Sequence, residues 1–134
     1  MRITNDNITE LKENEIFVFG SNLSGIHGGG AAKLANREFG AIWGNATGLQ
    51  GQTYAIPTKS KFIVRTLDLD EIKPFVDEFI EFAKIHSELI FFVTEIGCGL
   101  ATHTVETMAP LFKRAMDIQN IFMPTKFWQV LSTP

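Results

Sequence analysis

"FGSNLSGIHGGGAAKLA", Phe19 to Ala35, joins two kinds of sequence through a stretch of bare backbone. Before it, Ile16-Phe17-Val18-Phe19 is a short continuous apolar run, the pattern of a buried strand. At its end, Ala31-Ala32-Lys33-Leu34-Ala35 is strong helix-forming sequence. Between them stand a polar turn, Ser21-Asn22, then Gly25 and the triplet Gly28-Gly29-Gly30. Glycine costs entropy on folding and offers no side chain to the core. Three in a row at a strand-to-helix junction indicate that the backbone must approach something closely.

Working outward, the chain alternates strands and helices. The first strand is Ile16–Phe19 and the first helix runs from about Gly29 to Phe39. Gly40–Gln52 reads as irregular, and Thr53–Ile56 as a second strand stopped by Pro57. Phe62–Val64 reads as a short strand or a strand-like loop. Asp68 to His86 is the clearest helix: Leu69, Ile72, Val76, Phe79 and Ala83 share one face, and Asp68 with Glu71 forms a capping-box pattern. Leu89–Val93 reads as a central strand covered on both faces. Val105, Met108, Ala109, Phe112, Ala115 and Met116 make another helical stripe, kinked or delayed by Pro110. Asn120–Met123 and Phe127–Leu131 each read as a final strand. This order predicts one domain over residues 1–134, a three-layer α/β/α sandwich with a mixed, mostly parallel central sheet.

Composition narrows the function classes. With 134 residues the chain can bury a sizeable core, and 12 phenylalanines point to aromatic packing within it. A net charge of −3 argues against general nucleic-acid binding, though not against a small nucleotide-specific site. Cys98 is the single cysteine, which removes any internal disulfide. The polar N-terminus and the short apolar runs predict a cytoplasmic protein with no membrane partner. The three histidines stand apart without partners at ligand spacing, so neither a metal site nor a cofactor is expected.

Nine of the 11 glycines lie between Gly20 and Gly51, and the others are Gly97 and Gly99. All read as connections after strand ends, where open α/β sheets bind ligands, so they are expected to line one crevice. Gly28-Gly29-Gly30 at a helix start suits an anion, with tight turn packing as the alternative. The stretch fails both phosphate-loop patterns, since Ala31 and Ala32 follow the triplet and Lys33 ends the wider spacing. The second loop, Glu95-Ile96-Gly97-Cys98-Gly99-Leu100, follows the central strand and would wrap a phosphate or a ribose. Cys98 is either a nucleophile with His103 as its base or a small buried thiol between glycines. His27 is either a ligand contact or an exposed loop residue. Trp43 and Trp128 read as core or rim packing ahead of stacking platforms.

Together these loops resemble the macrodomain, an ADP-ribose-binding module. The resemblance rests on Val18-Phe19-Gly20-Ser21-Asn22 followed by Gly28-Gly29-Gly30-Ala31, on Tyr54-Ala55-Ile56-Pro57-Thr58, and on Ile96-Gly97-Cys98-Gly99-Leu100. It covers residues 7 to 117 or so. It implies ligand contacts at Ser21, Asn22, His27, Gly28, Gly29, Gly30, Ala31 and Thr58, and at Ile96, Gly97, Cys98, Gly99, Leu100 and Ala101. Asn7, in Asn7-Ile8-Thr9, stands where the family carries an adenine-contacting Asp. "IGCGL" and Thr58-Lys59 are most similar to the lysine-using ADP-ribosyl glycohydrolases, which act on modified carboxylates or, in antitoxins, on modified DNA bases. That branch implies Lys59 as catalytic residue, and it carries an Asp where this chain has Ala101. Three readings follow: a domain that binds ADP-ribose or a related nucleotide, a hydrolase of ADP-ribosylated protein or nucleic acid acting through Lys59 with aid from Glu95 or His27, and an interaction protein with a degenerate pocket.

Overall fold

The computed structural model describes residues 1–134. Five strands form one sheet: β1 (Glu15–Asn22), β2 (Gly48–Gln50), β3 (Thr53–Lys59), β4 (Ile90–Val93) and β5 (Ile121–Phe122). Their spatial order is β2-β3-β1-β4-β5. β2 pairs antiparallel with β3, and every other pairing is parallel. The expected three-layer sandwich is the observed fold.

The apolar run in β1 is continuous because both of its faces are covered. Ile16 and Val18 belong to one core with Tyr54, Ile56, Phe91 and Val93, under α2 (Leu69–Ile85) and the elements that follow β4. Phe17 and Phe19 face the other way, against Ala32, Ala35 and Phe39 of the α1 layer (α1, Gly30–Glu38). Phe79 organises the larger core, with ring centroids 5.1 Å from Tyr54 and 5.5 Å from Phe91. Burying an aromatic or aliphatic side chain of this kind stabilises the fold by about 1.5–3 kcal/mol. The α2 stripe is as expected, and the Glu71 carboxylate accepts the Asp68 N–H at 2.9 Å to close its half of the capping box.

Several local expectations are corrected. β3 does not stop at Pro57 but runs on to Lys59. β2 pairs with β3 only as far as Ala55 and the next pairing on that side is Lys59 with Thr66, so Pro57 falls in an unpaired gap that tolerates a missing N–H. Part of the segment read as irregular is β2. Phe62–Val64 is no strand: Lys61–Ile63 is a 3-10 turn in which Phe62 and Ile63 hold φ of 58° and 60°. Phe127–Leu131 lies in a helix, α4 (Thr125–Leu131), started by N–H bonds from Phe127 and Trp128 to the Pro124 carbonyl. β5 does fall within Asn120–Met123. The stripe from Val105 breaks at Pro110 as expected: α3 (Val105–Met108) passes into 3-10 turns over Ala109–Asp117. Not every glycine sits in a connection, since Gly20 is inside β1 and Gly30 and Gly48 open α1 and β2.

The topology fixes where a ligand can enter. α1 follows β1 on one face of the sheet, whereas the elements after β4 pack on the other. The connections leaving these two neighbouring strands therefore diverge at their C-terminal ends and leave a crevice between them.

Candidate functional site

The crevice is a cavity of about 330 Å³ at that divergence. Its walls are Gly20, Ser21 and Asn22 of β1, Gly29 to Ala32 at the start of α1, Thr58 and Lys59 of β3, and the Thr94–Ala101 loop without Cys98. A volume of this order is at the small end of ligand-binding clefts.

One wall is the N-terminus of α1. Gly29 occupies the cap position, no side chain caps it, and the first turn holds no acidic residue. The first N–H groups of a helix have no intrahelical carbonyl to bond, and the helix dipole places positive charge there. Gly30 has φ 57°, the left-handed region that glycine enters without a Cβ penalty. The opposite wall is the loop after β4. Its shape is held by Cys98 N–H to Glu95 O at 3.1 Å, Thr102 N–H to Gly99 O at 3.0 Å and His103 N–H to Gly97 O at 2.8 Å. From outside, the Thr66 hydroxyl donates to Ala101 O at 2.8 Å.

Polar side chains at the floor bond inward to the scaffold. Ser21 Oγ donates to Ala46 O at 2.6 Å, and Thr58 Oγ1 to Ser21 O at 3.3 Å. The Asn22 amide cross-braces its own loop, donating to Ile26 O and accepting the N–H groups of Ser24 and Ile26. Lys59 and Glu95 both reach the cavity. Lys59 makes no ion pair.

A second cavity of about 320 Å³ adjoins the first and shares Gly30, Ala31 and Thr94 with it. Asn5, Asp6, Asn7, Ile8, Phe17 and Leu34 complete its lining. Asn7 therefore sits beside the neighbouring compartment and not in the main one.

Several expected site residues fall elsewhere. His27 is neither exposed nor at the crevice: it is 1% exposed, with its ring edge-on to Phe19 and Nε2 2.9 Å from Ile42 O. Buried apolar packing keeps it behind the loop. Gly28 points outward, toward Trp43. Cys98 lies beside the larger core and outside the crevice lining, and burial pushes its thiol up to about 11. The Cys98 thiol donates to Ile96 O at 3.5 Å and not to His103, whose Nε2 is held 2.8 Å from Leu67 O. Trp128 is core, with its indole N–H donating to Arg2 O, whereas Trp43 is exposed.

The sequence reading missed Ile26, Ala32, Ile63 and Thr94 in the main cavity and Asp6 in the second. Asp6 had a signal, a carboxylate next to Asn7. Ile63 had none, since its place depends on how the turn after β3 folds back. No three His, Cys, Asp or Glu side chains come together to hold a metal ion, and no helix is long and apolar enough to cross a membrane.

No family model, curated protein or solved structure matches this chain.

Proposed function

We propose that the crevice binds ADP-ribose or a related nucleotide diphosphate. One observation carries the reading: an uncapped helix N-terminus at Gly29–Gly30 and the glycine-containing Thr94–Ala101 loop line one cavity of nucleotide-fragment size. Backbone N–H groups reach a diphosphate best where no Cβ stands in the way. The adjoining compartment beside Asp6 and Asn7 shares Gly30 and Ala31 with the main cavity, so one ligand could extend from one into the other. It offers the apolar sides of Ile8, Phe17 and Leu34 to a flat ring, with carboxylate and amide acceptors nearby. The macrodomain resemblance supports the same ligand.

A hydrolase reading is kept second, because Lys59 and Glu95 line the same cavity. Calorimetric titration with ADP-ribose, ADP, AMP and NAD in parallel tests the first. A dissociation constant in the micromolar range is expected for ADP-ribose, or about −8 kcal/mol. Absence of heat and of any thermal shift from all four at millimolar concentration sinks the reading.

A further inference from the structure

The glycine wall of the crevice has no side chains of its own to hold it in place. Upstream, the Asn22 amide accepts the Ile26 N–H and donates to Ile26 O, which fixes the chain as far as Ile26. Downstream, α1 begins from its cap at Gly29. His27 is the one residue between these points that carries a side chain, since Gly28 offers none. It is 1% exposed. Its Nε2 stands 2.9 Å from Ile42 O, and its ring lies edge-on to Phe19 and Trp43, with centroids 5.4 and 6.4 Å away. Two further bonds join the same two segments: Gly44 N–H donates to Gly25 O at 2.8 Å, and Ser21 Oγ donates to Ala46 O at 2.6 Å. Of the three ties, His27 is the one nearest the helix cap.

A carbonyl oxygen only accepts, so the proton of the neutral ring sits on Nε2 and leaves Nδ1 bare. Nδ1 is buried and meets no hydrogen-bond partner. A second proton would create a buried N–H without an acceptor and a buried charge without a counter-ion. The surroundings hold nothing to answer it. Residues 16–32, which include Phe19, and residues 39–58, which include Ile42 and Trp43, contain no Asp, Glu, Lys or Arg. Tyr54 is the one other titratable side chain among them, and it packs in the larger core, on the opposite face of the sheet from Phe19. The charged residues of α1, Lys33, Arg37 and Glu38, are all exposed. The packed loop therefore accommodates the neutral ring alone, and imidazoles change charge within the range of about pH 5 to 8.

We propose that His27 is a positioning residue that makes ligand binding acid-sensitive: neutral, it holds the loop that ends at Gly29; protonated, it leaves its place and the glycine wall shifts with it. The packed loop binds fewer protons than the released one, so acid favours release. The effect on the ligand rests on the nucleotide reading of the crevice, whereas the release itself does not.

Trp43, exposed and beside the ring, reports the release through its fluorescence, and Trp43→Phe identifies the share of the signal that belongs to Trp128. Between about pH 7.5 and 5.5 the Trp43 emission is expected to change in wild type. It should hold steady in His27→Gln, whose amide N–H can replace Nε2–H at Ile42 O but takes up no proton. Calorimetry with ADP-ribose across the same range should show wild type weakening roughly tenfold, within the limit of tenfold per pH unit for one linked proton. His27→Gln should bind alike at both ends of the range, and His27→Ala weakly at both. Constant affinity in wild type overturns the proposal. So does an equal acid loss in wild type and His27→Gln, which would place the titrating group elsewhere. Tighter binding in acid also overturns it, since the Phe19 and Trp43 rings would then be holding the imidazolium. If ADP-ribose gives no heat at any pH, the crevice reading falls, and the fluorescence comparison alone decides whether the switch stands. If His27→Gln does not fold, nuclear magnetic resonance of wild type takes its place. Proton uptake at His27 with the amides of Ile26 to Ala31 unmoved overturns the proposal, whereas acid shifts confined to those amides and to Ile42–Gly44 sustain it.

Discussion

Leu100 Cδ1 stands so close to Gly29 that a Cβ built on the glycine would meet it at 3.2 Å. The two crevice loops thus approach each other side-chain tip to bare backbone. Gly29 itself is extended, with φ −150°, and the left-handed conformation falls on Gly30 next to it. The triplet therefore divides its work: one glycine supplies space and another supplies the turn. Gly29→Val should leave the fold intact, since extended backbone suits a β-branched residue and the opposing leucine tip can move. The new methyl groups would occupy the approach to the helix N-terminus, so ADP-ribose binding should be lost. Circular dichroism beside calorimetry checks this, and unchanged affinity in a folded variant would show that another wall holds the ligand.

Gly25→Ala should act on the scaffold. Gly25 has φ 68°, and a Cβ there would lie 2.5 Å from Asn45 N and from Gly44 C, both backbone atoms that cannot rotate away. The left-handed strain and this collision act together, so a loss of about 2 kcal/mol or more is expected. The drop should appear in the thermal midpoint. A midpoint matching wild type would mean that the contact between the two loops is not maintained in solution.

Cys98 offers a direct check on the rejected nucleophile. Burial, reinforced by Glu95 and Glu106, holds its thiol near 11, so little thiolate exists at neutral pH. Alkylation of the native protein by iodoacetamide should be slow at pH 8 and accelerate only as the pH climbs toward 11. Cys98→Ala should bind ADP-ribose as wild type does. Fast labelling at pH 7 would reopen a covalent role.

What could be read from the residues alone follows from how much each signal depends on the rest of the chain. The apolar run at Ile16–Phe19 and the stripe of α2 report burial directly, and both form the expected elements, although β1 runs on through Ser21 and Asn22, which read as a turn and instead pair with Pro57 and Lys59 of β3. Phe127–Leu131 is too short for period to decide between strand and helix, and the Pro124 carbonyl that starts the helix leaves no mark in the pattern. β2 has no apolar alternation: Leu49 is exposed, and Gln50 is buried because its amide accepts from Ile42 N–H and donates to Asn45 O. The glycines located the crevice, but not its membership. His27 stands next to the triplet in sequence, yet it turns inward against Phe19, with Nε2 2.9 Å from Ile42 O.

Acid should weaken the start of α2. Arg65 donates both guanidinium hydrogen bonds to Glu71 at 2.8 Å, and together with the Asp68 N–H this lowers the Glu71 carboxyl from 4.5 to about 2. A depressed acid stabilises the fold when ionised. Its contribution is complete above about pH 4.5 and fades as the pH falls toward 2. The pair is solvent-exposed, so the effect is modest and should shrink with added salt. Glu71→Gln should flatten the stability profile across that window and match wild type in slope elsewhere. Identical profiles for the two proteins between pH 5 and 2 would show that the pair contributes nothing.

Lys59 carries the sharpest choice, between a binding charge and a reacting amine. It ends β3 at the crevice, with its carbonyl accepting the Leu23 N–H at 3.0 Å, so its backbone is fixed beside the cavity. A lysine placed there holds a phosphate as a point charge; to attack the anomeric carbon of a ribose it must first lose its proton. Proton removal needs a base, and where the macrodomain resemblance would lead one to expect a carboxylate stands Ala101, buried and offering only its carbonyl, which already accepts from Thr66 and Thr102. Glu95 lines the same cavity from the loop after β4 and is the one carboxylate there. Lys59→Ala should therefore weaken ADP-ribose binding by about 1 kcal/mol, the loss of one charge-assisted contact. Wild type incubated with ADP-ribosylated peptide and with ADP-ribosylated DNA should release ADP-ribose slowly or not at all. Rapid release that disappears in Lys59→Ala would make the protein a hydrolase, and its disappearance in Glu95→Gln as well would identify the base that Ala101 fails to supply.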